Sequence, residues 1–194
     1  MISRLASSLE TEEVDYGFEN HGGCYYFYDK LSGKTPRYYQ HLLSEAKTRI
    51  DIWDPFFTTD SAQIFDEVTQ EGITINILTK LNTYRNQTKE EINDFADKIK
   101  NILNKNGVTP SLYIYCYIKK TFDHIWHDRY LIIDEKDVYL IGTSIDEQIN
   151  PQKDFGIYKM TPSIEDCTLI KDKMKKCKDN GIQAGPTQNM CVRH

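Results

Sequence analysis

At 194 residues, with 39% hydrophobic and 12% aromatic content, the chain is long enough for one domain to bury a core without disulfides or structural metals. A net charge of −5 argues against a protein that coats nucleic acid broadly, and no apolar run approaches the ~20 residues of a membrane span. Five scattered cysteines (Cys24, Cys116, Cys167, Cys177, Cys191) without a Cys-x-x-Cys pair read as free thiols. With no basic-then-apolar leader at the N-terminus, the expected location is cytoplasmic.

Residues 1–20 carry Glu10, Glu12, Glu13, Asp15 and Glu19 with little periodicity and are expected to form a polar arm. His21-Gly22-Gly23 marks a turn, and the aromatic run Cys24 to Tyr28 predicts a short strand. Thr35 as N-cap and Pro36 at the first helical position open a helix, in which Tyr38, Tyr39, Leu42, Leu43 and Ala46 form an apolar stripe. A strand over 49–53 ends at Asp54-Pro55. A helix over 60–70, closed by Gly72, and a strand over 73–78 then imply a right-handed parallel crossover.

Thr88-Lys89-Glu90-Glu91 is a capping box that starts a helix running to Asn106-Gly107. Beyond it the pattern predicts a strand over 111–118 and a hairpin of 125–133 with 138–141 around Glu135-Lys136-Asp137. A strand over 155–160 follows, and a last helix is capped by Ser163 with Asp166 and ends at Asn180-Gly181. The predicted class is α/β: a mixed central sheet flanked by helices on both faces. One domain spans 21–182, between the polar arm 1–20 and a loosely held tail 183–194. Basic clusters at 98–120 and 171–178 read as solvated helix faces, with a local phosphate-binding face as the alternative.

The densest chemistry lies in His127-Asp128-Arg129-Tyr130-Leu131-Ile132-Ile133-Asp134, followed by Gly142-Thr143-Ser144-Ile145-Asp146. Alternation along a strand sends His127 and Arg129 to one face, where both reach a single phosphate. Asp54 and Lys80 fall at the C-terminal ends of predicted parallel strands, where α/β sheets place ligands, although turn chemistry and a solvated loop are the simpler accounts. Tyr84, Arg85 and Asn86 form a polar loop within reach of a substrate, while Trp53 and Trp126 read as core or dimer-interface residues, with base stacking as the alternative for Trp126. His124 and His127, three apart on a strand, face opposite sides, and no carboxylate cluster completes a metal site. Neither metal nor cofactor is expected.

The run from His127 to Asp134 resembles the His-x-Lys-x4-Asp motif of the phospholipase D superfamily, with Arg129 in place of lysine, and the Gly142 turn resembles its Gly-Ser-x-Asn. The strand–helix–strand run from Arg49 to Leu78 fits the same fold more loosely. The resemblance implies metal-independent phosphodiester cleavage in which one histidine is phosphorylated and a second protonates the leaving group. Carried over by position, His127 is the nucleophile or its acid partner and Arg129 binds phosphate. Asp134 braces the strand, Thr143 or Ser144 supplies a hydroxyl near the phosphate, and Asp154 orients the histidine. Where the family has asparagine, this chain has Ile145 or, one residue on, Asp146.

A single motif in 194 residues resembles bacterial relatives that complete their site by homodimerisation, bringing one His127 from each chain across a twofold axis. The implied function is a nuclease acting on DNA or RNA. The His-Asp-Arg form also resembles a branch whose members include nucleases and antiviral defence proteins, and another that binds lipid or protein without turnover. The alternatives are therefore a degenerate module that binds phosphate-bearing ligands or a protein partner, and an accessory subunit of a larger assembly.

Overall fold

The computed structural model describes residues 18–21, 24–27, 34–81, 89–118, 128–146, 155–160, 172, 175 and 182–184. Among the described residues, nine strands form one mixed sheet: β1 (Phe18–His21), β2 (Cys24–Phe27), β3 (Arg49–Trp53), β4 (Thr74–Leu81), β5 (Ser111–Ile118), β6 (Arg129–Ile133), β7 (Asp137–Ile141), β8 (Phe155–Met160) and β9 (Ile182–Ala184). Their order across the sheet is β1-β2-β8-β7-β6-β3-β4-β5-β9. The pairs β3/β4 and β4/β5 are parallel and the rest antiparallel. This is the predicted α/β class, and strands β3, β5 and β8 have the predicted bounds.

Strand alternation divides the sheet into two apolar faces. Ile50, Ile52, Ile75, Ile77, Leu112, Ile114, Leu131, Ile133, Ile141 and Ile157 lie in the main core. Trp53, Leu78, Ile132 and Val138 form a smaller cluster with Tyr115, Tyr130 and Met160 on the other face. The helical elements α1 (Lys34–Ser44), a 3-10 helix (Asp60–Phe65) and α2 (Lys89–Lys105) all contribute to the main core. From α1 come Tyr38, Tyr39, Leu42 and Leu43, all predicted as its apolar stripe, and from α2 come Ala96, Ile99 and Leu103 at helical spacing. Removing one such fully buried side chain, as in Ile77→Ala, costs about 2–5 kcal/mol.

Helix α2 ends as its sequence predicts. Gly107 takes φ +75°, and Val108 N–H reaches Leu103 O at 2.9 Å while Gly107 N–H reaches Asn104 O at 3.1 Å. These are the paired bonds of a Schellman cap, and buried Val108 and Leu103 supply its apolar contact.

Four local expectations shift. The helix expected over 60–70 is a 3-10 turn ending at Phe65, held by i→i+3 bonds such as Asp66 N–H to Gln63 O. Its buried side chains fall three apart, Ser61 with Ile64 and Ala62 with Phe65, which suits three residues per turn. Strand β4 runs on to Leu81 because pairing with β5 continues to Leu81↔Ile118, making Lys80 its penultimate residue. The segment expected as arm contributes Phe18–Asn20 to β1, and the segment expected as tail contributes Gln183 and Ala184 to β9. Both gain backbone partners at an edge of the sheet. The capping-box Thr88 and the caps of the last helix lie outside the described residues, although Asp172 and Lys175 within that helix are helical.

Candidate active site

Sheet register brings three chain segments to one edge. Because β6 runs antiparallel to β3, with Trp53 opposite Tyr130, Arg129 at the start of β6 adjoins Asp54 just after β3. Because β7 runs antiparallel to β6, with Ile141 opposite Arg129, the Gly142–Asp146 turn leaves the sheet beside the same arginine. The C-terminal end of β3 is thus the meeting point, as expected for a ligand site in an α/β sheet.

Asp54 is the hub. It is fully buried, and its Oδ1 accepts the Phe56 N–H at 2.9 Å, closing an Asx turn that Pro55 preorganises. Its Oδ2 accepts the Ser144 hydroxyl at 3.0 Å and the Ile145 N–H at 2.7 Å. Arg129 Nε lies 3.8 Å from Oδ1, close enough for strong attraction but too far for a good hydrogen bond. Burial pushes the Asp54 carboxyl above its ordinary value, against the pull of the Phe56 and Ile145 N–H groups, the Ser144 hydroxyl and the Arg129 charge. The turn chemistry expected for Asp54-Pro55 is present, and the same carboxylate also ties the β3 end to the β7 turn.

The Gly142–Asp146 turn is shaped by close packing. Gly142 N–H donates to Gly156 O at 2.9 Å, and a Cβ on Gly142 would sit 2.9 Å from that same oxygen. Ser144 is fully buried, its hydroxyl also 3.4 Å from Phe56 O, so it faces Asp54 rather than a ligand. Ile145 is fully buried in the main core, and its backbone rather than its side chain serves the site. Asp146 accepts a short hydrogen bond from the Thr58 hydroxyl, and Thr58 N–H in turn reaches Ser61 Oγ at 3.1 Å. Thr143 alone of the two predicted hydroxyls keeps partial exposure.

Arg129 is held between this hub and an aromatic ring. Its side chain is 18% exposed, and its guanidinium carbon lies 5.6 Å from the centroid of Phe56. That contact combines cation–π attraction with a fixed direction for the charge. Phe56 and Thr58 escape sequence reasoning: nothing in Pro-Phe-Phe separates the exposed ring from the buried one, and Thr58 meets Asp146 across 88 residues without a local signal.

Asp134, counted by motif among the catalytic residues, sits at the other end of β6. Four residues lie between it and Arg129, and five steps of about 3.3 Å put the two roughly 16 Å apart. Its carboxylate accepts N–H groups from Lys47 (2.9 Å), Thr48 (2.8 Å) and Arg49 (3.0 Å) and the Thr48 hydroxyl (2.9 Å). Its own N–H donates to Arg49 O at 2.8 Å, and its backbone is left-handed at φ +51°. Burial alone would raise this carboxyl; the hydrogen bonds outweigh it and hold the group below its ordinary value. Asp134 therefore braces the β6–β7 turn against the start of β3 and touches nothing at the Arg129 end.

His127, Asp154, Trp126 and the Tyr84-Arg85-Asn86 loop lie outside the described residues, as does the side chain of Lys80. Among the described residues, no group of three or more His, Cys, Asp or Glu is placed to hold a metal ion. Among them too, no helix is long and apolar enough to cross a membrane.

No protein-family profile matches the chain, and no curated protein matches it in sequence. Solved structures do. Nuc from Salmonella typhimurium, a phospholipase D family member, aligns with a TM-score of 0.56 at 15% identity, over 84% of this chain and 97% of that one. NucT from Helicobacter pylori aligns with a TM-score of 0.54 at 16% identity, over 84% and 98% of the two chains. This structural likeness shows that the chain has the phospholipase-D-like fold.

Proposed function

We propose that this chain is a metal-independent phosphodiesterase acting on nucleic acid, with His127 as the nucleophile at a site shared by two copies of the chain. The observation that carries the reading is the seating of Arg129, a cation fixed at the end of β3 by Asp54 and Phe56. The likeness to Nuc and NucT supports it at the level of fold.

In this reading a His127 nitrogen attacks the phosphorus of a diester held by Arg129, with Thr143 donating a hydroxyl. An N–P bond forms, the P–O bond breaks, and the leaving oxygen takes a proton from the second copy's histidine. Water then attacks the phosphohistidine, the second histidine accepts its proton, and the N–P bond is released. Asp154 orients the imidazole, and Lys80 adds positive charge at the end of β4. Asp54 and Ser144, both buried, position the arginine and the turn instead of touching substrate. A cytoplasmic role in antiviral defence belongs to the same proposal.

The test is hydrolysis of single- and double-stranded DNA and RNA in EDTA. Wild type is expected to cleave at least one of them and His127→Ala none. Cleavage that survives His127→Ala, or that needs an added divalent metal, contradicts the reading.

One observation favours a second reading. The Gly142–Asp146 turn offers Thr143 alone as a partly exposed hydroxyl, since Ser144 and Ile145 are buried and Asp146 is bonded to Thr58. A site so reduced suits a module that holds phosphate-bearing ligands, or a protein partner in a larger assembly, without turnover. Arg129-dependent binding with no hydrolysis under any condition would select it.

A further inference from the structure

We propose that Phe56 is a stacking platform for a nucleobase, so that the site takes single-stranded nucleic acid with one unpaired base lying against this ring. The inference rests on the reading of Arg129 as the phosphate-binding group and specifies the form of substrate.

Phe56 and Tyr158 are the large hydrophobic side chains left exposed among the described residues, at 43% and 44%. Tyr158 lies on the opposite face of the sheet from Arg129, because it pairs with Leu140, which pairs with Tyr130. Phe56 is at the site itself. Its neighbours Pro55 and Phe57 are buried, its N–H is fixed by Asp54 and its carbonyl faces the Ser144 hydroxyl, so the ring stands on a rigid mount. Arg129 lies over the ring at 5.6 Å, placing a cation and an open aromatic surface side by side.

That pairing matches the chemistry of one nucleotide, whose phosphate is anionic and whose base has a π face. Proteins that hold single strands combine a cationic track for the backbone with aromatic rings for the bases, and Arg adds to such stacking. In a duplex both faces of each base are already covered by neighbours, so this ring serves an unpaired base. A phenyl ring offers no hydrogen-bond readout, so preference among bases is expected to be weak.

The experiment compares binding of a fluorescent oligothymidylate and an abasic phosphodiester strand of equal length, in EDTA. The His127→Ala background keeps the ligands intact. The background protein is expected to bind the thymidylate strand roughly tenfold more tightly. Phe56→Ala and Phe56→Leu should abolish the roughly tenfold ratio between the two strands, over and above any common loss from a less firmly seated Arg129, whereas Phe56→Trp retains it. Arg129→Ala should weaken both strands. If Phe56→Ala leaves the preference intact, or weakens both strands equally while Arg129→Ala also weakens both, the stacking role is overturned and the phosphate role stands. If the background binds neither strand, the nucleic-acid reading fails and the stacking role with it.

Discussion

Asp134→Ala separates a bracing role from a catalytic one. The carboxylate gathers three backbone N–H groups and the Thr48 hydroxyl at 2.8–3.0 Å. Hydrogen bonds to a charged group contribute about 1.5–3 kcal/mol each when well shielded. Here they lie at a largely solvent-exposed sheet end and share one acceptor group, so the freed N–H groups rehydrate and the sum is strongly discounted. The expected loss is about 2 kcal/mol, a fall in Tm of roughly 4–8 °C for a chain of this size. Asn at 134 keeps one acceptor oxygen and tolerates φ +51°, so Asp134→Asn should lose about half as much.

The sign with pH follows from the lowered carboxyl. A group whose folded pKa is depressed adds stability above its unfolded value, near 3.9. That stability disappears as pH falls through the folded value. The gap between wild type and Asp134→Asn should therefore be full at pH 7 and narrow below about pH 4, read from denaturant midpoints across pH. Turnover measured well below Tm should not change, because Asp134 stands roughly 16 Å along β6 from Arg129. An Asp134→Ala protein with wild-type Tm but abolished turnover would refute this assignment.

Two further changes probe the hub. Asp54→Asn should weaken the Ser144 and Ile145 bonds and abolish a pH trend. Burial raises the wild-type carboxyl, so wild-type stability falls as pH rises from the unfolded value through the folded one, and denaturant midpoints should show that fall absent in Asp54→Asn. Gly142→Ala forces a Cβ to within 2.9 Å of Gly156 O and should cost about 1–3 kcal/mol by thermal unfolding, with turnover falling as the Thr143 turn shifts; an unchanged Tm would show that the β7–β8 contact gives way freely.

Much of this architecture is legible locally. Strand alternation in Arg49–Trp53 and Ser111–Ile118, and the Asn106-Gly107 stop, depend on neighbours within a few residues, and the structure follows them. The His-x-Arg-x4-Asp spacing marks out the β6 strand, but it places Arg129 and Asp134 in one motif although the strand carries them to opposite ends. Phe18–Asn20 reads as arm and His21 as turn because a polar four-residue edge strand acquires its order from β2, not from its own composition. Most of the hub is long-range: Asp54 meets Ser144 across 90 residues and Thr58 meets Asp146 across 88. No window of sequence contains both partners, so Ser144 reads as a ligand hydroxyl until the fold shows its partner to be a buried carboxylate.

The most direct measurement is covalent trapping. Wild-type protein mixed with a short labelled oligonucleotide in EDTA, then quenched with denaturant at alkaline pH, should carry an acid-labile nucleotidyl adduct. Peptide mapping should assign that adduct to His127, and His127→Ala should form none. Hydrolysis that proceeds with no adduct, or with the adduct on another residue, would contradict a histidine nucleophile beside Arg129.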